Sequence, residues 1–161
     1  MIGIVIKIVL LGAFLVLVAC AIGLFVMAGV AQSHDIVALP VPQSSFIAST
    51  QPLSDYSDAF VAPMHHATFR DIDRVAEQAF HRGDQEVFRD EREVVYQGRM
   101  LGVNYHLSYM LLRDPSPTTL TVSTTVKFEN KYAHYYWPVL KQVHRRLMPY
   151  LLDRMVVLAP D

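Results

Sequence analysis

A chain of 161 residues with 14 basic and 15 acidic side chains, a formal net charge of −1 and 52% hydrophobic residues has room for one ordinary domain and an appendage. The near balance of charge argues against a nucleic-acid partner, which needs a basic surface. The single cysteine excludes an intrachain disulfide and any cysteine-rich zinc site.

The appendage comes first in the chain. No charged residue occurs from Ile8 to Ala31, and as a helix at about 1.5 Å per residue this run spans roughly 36 Å, enough to cross a bilayer core. Residues 1–32 are therefore expected to form a transmembrane anchor, with Ile8, Leu15, Leu24 and Val30 along its apolar length. Lys7 precedes the run and Asp35 follows it, a bias that places the N-terminus in the cytoplasm and the remaining domain in the periplasm of a single-pass inner-membrane protein. Cys20, in "LVAC", resembles the cleavage box of bacterial lipoproteins. The sequence stays apolar through "AIGLFVMAGVA", which favours an uncleaved anchor instead. Beyond the anchor the net charge is about −2, the overall −1 less the +1 of Lys7.

Residues 33–53, with prolines at 40, 42 and 52, read as an extended linker whose Ile36, Val37, Leu39 and Phe46 offer docking points. The soluble domain is expected over 54–161. Asp55 and Asp58 fall in a turn, and no paired-carboxylate chemistry is expected of them. "AFVAPM" reads as an edge strand interrupted by Pro63. Thr68 then opens an amphipathic helix of about four turns, with Ile72, Val75, Ala76 and Ala79 at helical spacing and Gly83 closing it. The charge run "RGDQEVFRDERE" from 82 to 93 reads as a solvated loop or helix face.

Three strands follow. "EVVYQGRML" carries a turn or bulge at Gly98. In "VNYHLSYMLL" the alternation puts Val103, Tyr105, Leu107, Tyr109 and Leu111 on one face, and in "LTVSTTVKF" it puts Leu120, Val122, Thr124, Val126 and Phe128 on one face. The result is an antiparallel sheet with one wet face. A closing helix carries Trp137, Leu140, His144, Leu147, Leu151, Met155 and Leu158 at three- and four-residue steps, with Pro138 in its first turn and Pro149 kinking it. It is the natural cover for the apolar sheet face, in an α+β domain.

The passage holding Phe128, Asn130, Tyr135, Tyr136, Pro138, His144 and Arg145 resembles a bacterial family known as domain of unknown function 2867, over roughly residues 54–158. The resemblance implies a helix-grip fold, similar to START-like and polyketide-cyclase-like domains, in which a long C-terminal helix lies across a curved antiparallel sheet around an apolar cavity. It implies no reaction.

Between the predicted sheet and helix, the cavity candidates are Tyr105, Leu107, Tyr109, Trp137, Leu140, His144 and Leu147. His144 sits on the buried face, where it needs a hydrogen-bond partner or a cavity. His66, His106 and His144 could meet at a metal only in three dimensions, and no metal-ligand spacing, phosphate loop or nucleophile elbow is present. The expectation is a non-enzymatic domain without cofactor that binds membrane lipid or an apolar small molecule. The alternative is an accessory subunit held among integral membrane partners by its single transmembrane helix. An enzyme using His144 with a tyrosine is the third reading.

Overall fold

The computed structural model describes residues 36–51, 53–64, 71–79, 83–113 and 117–157. The anchor residues Ile8, Leu15, Leu24 and Val30, together with Thr68 and His66, lie outside them. No described helix is long and apolar enough to cross a membrane.

The described chain is α+β: a six-stranded antiparallel sheet with a long C-terminal helix. In chain order the elements are β1 (Val37–Leu39), α1 (Phe46–Thr50), β2 (Tyr56–Pro63), α2 (Ile72–Gln78), β3 (Gln85–Arg89), β4 (Glu93–Met100), β5 (Val103–Leu112), β6 (Thr119–Phe128) and α3 (Ala133–Val157). The strands lie in the order β1-β2-β6-β5-β4-β3. β4, β5 and β6 run as a meander, with Tyr105 opposite Val126 and Tyr109 opposite both Val122 and Val94. That register keeps Tyr105, Leu107, Tyr109 and Leu111 of β5 on the same face as Leu120, Val122, Thr124 and Val126 of β6.

The main core lies on that face. Phe60, Val94, Tyr96, Leu107, Tyr109, Leu111, Leu120 and Val122 from the sheet meet Ile72, Val75 and Ala76 of α2 and Met148, Leu152 and Met155 of α3. Burial of a Leu or Met side chain is worth about 1.5–3 kcal/mol, so the second half of α3 is fastened by these three residues. A smaller cluster of Tyr56, Val103, Val126 and Ala133 sits under the first half.

Several expectations are corrected. β2 is not an edge strand; β1 covers it, and the pairing ends at Val61, short of Pro63, so the proline withdraws no N–H from β1. The linker stretch joins the fold through β1 and through α1, whose Ile47 is fully buried. The helix expected over four turns is described as the seven-residue α2, which Asp71 caps by accepting from the Arg74 N–H at 3.0 Å. The charge run holds the edge strand β3, whose Arg89 pairs with Glu86 and Asp73, and charge on an edge blocks pairing with other chains.

Gly98 is neither turn nor bulge. It pairs with Tyr105, and a Cβ there would lie 2.3 Å from the Tyr105 ring, so glycine leaves room for the ring to cross the strand. The second sheet face is wet only in part: Ser108, Thr121, Ser123 and Thr125 on it are buried, while Ser57, Arg99 and Lys127 are exposed. α1 packs on this side against β4 and β5, held by Glu93, whose carboxylate accepts from Ser45 Oγ at 2.5 Å, the Phe46 N–H at 2.8 Å and Ser108 Oγ.

The closing helix starts earlier than its prolines suggest. Asn130 accepts from the Tyr132 and Ala133 N–H groups at 3.0 and 3.1 Å, opening the helix before Pro138. Pro138 therefore falls in the second turn, and the helix runs on past Pro149 to Val157.

Candidate functional site

Where α3 crosses the sheet it leaves a cavity of about 320 Å3. Its floor is Val103, Tyr105, Leu107 and Tyr109 of β5 with Val122, Thr124 and Val126 of β6. Its roof is the apolar stripe of α3 from Trp137 to Met155. The space exists because α3 packs on β2 and β6 while α2 packs on β4 and β5, so neither helix fills the strip between them. All seven residues expected around a cavity, Tyr105, Leu107, Tyr109, Trp137, Leu140, His144 and Leu147, line it. Met100, half exposed, stands at its mouth.

The polar groups of this wall are largely committed to one another. His144 Nε2 lies 3.2 Å from Asp58 Oδ1, and the same carboxylate accepts from the Tyr56 hydroxyl. Asp58 is 7% exposed and stands on β2 between Tyr56 and Phe60, not in a turn as the sequence suggested. A carboxylate on the core face of a strand requires partners, and the alternation Tyr56, Asp58, Phe60 is the signal that could have exposed it. Burial and the Asp58 carboxylate together push the Tyr56 hydroxyl well above the usual phenol range, against the smaller pull of Arg145. Lys141 Nζ lies 5.1 Å from the centre of the Tyr56 ring, and Trp137 meets the same ring edge-on at 5.2 Å.

At the other wall, Tyr105 donates to Asp84 at 2.7 Å. Burial first, and then Asp84, pushes this hydroxyl up to about 12. Thr124 Oγ1 and Trp137 Nε1 are buried without a hydrogen-bond partner. The arrangement holds an imidazole against a carboxylate, and among the described residues no serine, threonine or cysteine bonds His144.

His106 and His144 do not meet, and His66 lies outside the described residues. His106 points from β5 to the face opposite Tyr105 and Leu107, and burial lowers its basicity. No group of three metal-ligating side chains occurs among the described residues. Compared with known proteins, the chain matches no family model, no curated protein and no solved structure.

Proposed function

We propose that this protein is a membrane-anchored, non-enzymatic domain that binds a lipid or apolar small molecule between its sheet and its C-terminal helix. The observation that carries the reading is the cavity itself: about 320 Å3 in volume, with a lining made up mostly of aliphatic and aromatic side chains. This falls within the size range of small-molecule sites, which are mostly apolar with few polar groups. The helix-grip architecture, the resemblance that suggested it and the N-terminal span from Ile8 to Ala31 belong to the same proposal, which puts the domain on the periplasmic side of the inner membrane. Fluorescence of N-phenylnaphthylamine added to the full chain tests it: saturable enhancement that is lost in Leu107→Phe supports the reading, and equal signals from both proteins refute it.

A second reading, an accessory subunit of a membrane assembly, is favoured by one feature at the β4–β5 turn. Leu101 has φ +51 and is 58% exposed. A left-handed leucine is strained, and hairpin turns prefer Asn, Asp or Gly in that position. Met100, Tyr132 and Tyr135 add further exposed apolar surface. Larger membrane proteins retained with the chain in mild detergent would support this reading; a bare chain would count against it.

A further inference from the structure

Exposed apolar side chains crowd onto one end of the domain: Met100 and Leu101 at the β4–β5 turn, and Tyr132, Tyr135 and Val139 where α3 begins. The two segments are fastened to each other there. The Glu129 N–H donates to the Gly102 carbonyl at 2.9 Å, the Tyr136 hydroxyl donates to the Leu101 carbonyl, and Arg99 pairs with Glu129 at 2.7 Å. Leu101 and Gly102 both have positive φ, +51 and +78, so this two-residue turn carries a leucine at its tip where asparagine would relieve the backbone. Along α3 the surface continues through Tyr135, Val139, Gln142 and Arg146, all exposed and set at steps of three and four, which make one outward stripe.

Charge and cavity together point to what covers this surface. From Asn130 to Leu152 the chain holds Lys131, Lys141, Arg145 and Arg146 and no acidic residue, in a domain whose net charge is about −2. The sign of the stripe is thus opposite to that of the domain around it, which suits an anionic surface. Its tyrosines combine an apolar ring with a polar tip, the chemistry favoured where hydrocarbon meets water. Met100 also lines the cavity, so one half-exposed side chain belongs to the mouth and to the patch at once. Val37 joins the sheet in the row of Val61, Thr121 and Met110, the end away from Leu101, so a chain tethered by its N-terminus meets a bilayer lying along α3.

We propose that this surface seats on a bilayer that contains anionic lipid: Met100, Leu101 and Tyr135 enter the headgroup region, the basic residues of α3 meet phosphate, and the cavity mouth faces the lipid. Apolar faces of interfacial helices sink about 5–10 Å into the boundary between headgroups and acyl chains. The proposal rests on the membrane-anchored binding reading and adds a route to it, since an apolar ligand leaving at Met100 passes into hydrocarbon without crossing water.

Nitroxide depth measurements on the full chain test it, with Cys20→Ser removing the only native thiol. One label goes on Leu101→Cys and a control label on Glu91→Cys, exposed in the β3–β4 turn at the opposite end of β4. Each chain is held in bilayer discs of phosphatidylcholine, with and without phosphatidylglycerol. With phosphatidylglycerol, the label at 101 is expected to show a several-fold loss of collisions with a water-soluble nickel chelate and a gain with oxygen, while the label at 91 stays open to nickel. Lys131→Glu combined with Arg146→Glu is expected to return the label at 101 toward the value at 91, as is high salt. If Leu101→Cys does not fold, Tyr135→Cys reads the same surface. A label at 101 as open to nickel as the one at 91 overturns the docking, and so does dipolar broadening between labels, which would assign the patch to a second copy of this chain. Burial at 101 that neither phosphatidylglycerol nor charge reversal changes overturns the anionic surface. The anchor is judged separately by retention of the chain on the discs in high salt, and the cavity by N-phenylnaphthylamine, so either can fail while the depth at residue 101 still decides the docking.

Discussion

His144 Nε2 and Asp58 Oδ1, 86 positions apart in sequence, stand 3.2 Å apart in the fold and join the middle of α3 to the centre of β2. The contact is partly buried, with His144 at 18% and Asp58 at 7% exposure, and it lies at the edge of the cavity. It ties α3 to the sheet at the cavity wall that His144 lines.

Removing one partner leaves the other with an unmet need in a place poor in water. His144→Ala is expected to cost about 2 kcal/mol and Asp58→Ala a similar amount, with the double variant losing clearly less than the sum. Chemical denaturation followed by circular dichroism measures all three, and strict additivity would show that the pair is not coupled.

Glu93 holds α1 in the same manner on the other face, through Ser45, the Phe46 N–H and Ser108. Glu93→Gln replaces one acceptor oxygen by a donor that faces other donors, a loss of about 1–3 kcal/mol. Hydrogen exchange should show the amides of Phe46–Thr50 losing protection before those of β5 and β6.

Tyr105 provides a pH dependence. Its folded value, raised to about 12 against 10.0 unfolded, means that the folded state holds the proton more tightly. The stabilisation is thus fully present below the unfolded value and is lost as pH rises from there through the folded one. Tyr105→Phe should flatten the fall of thermal stability across that alkaline window, and an unchanged fall would assign it to other groups.

Leu101→Asn relieves a leucine at φ +51 and should stabilise the isolated chain by about 0.5–1 kcal/mol. The Tyr136 hydroxyl donates to the Leu101 carbonyl and so leaves the side chain free to change. A gain in melting temperature coupled to a loss of membrane-protein partners would show that the leucine is kept for association.

The sequence made the cavity legible because two periodicities converge on it. Tyr105, Leu107 and Tyr109 alternate on β5, and Trp137, Leu140, His144 and Leu147 recur on α3, so each set could be assigned a common face without knowing how the two meet. Thr124 and Val126 on β6 and Val143 on α3 line the same space and belong to the same patterns, yet pattern alone does not say where a helix leaves a sheet uncovered. Asp58 was hidden because the strand was read as beginning at Ala59, which left Asp58 in a turn, whereas β2 begins at Tyr56. β1 and α1 were hidden by prolines 40, 42 and 52, since their order comes from tertiary contacts with β2 and Glu93 and not from local propensity. The buried hydroxyls of Thr121, Ser123 and Thr125 read as a wet face because alternation records polarity and not cover.

Native mass spectrometry of the intact chain released from mild detergent tests the central claim most directly. The account predicts one apolar adduct per chain in wild type and none in Leu107→Phe. A bare wild-type chain, or adducts that persist equally in the variant, would contradict it.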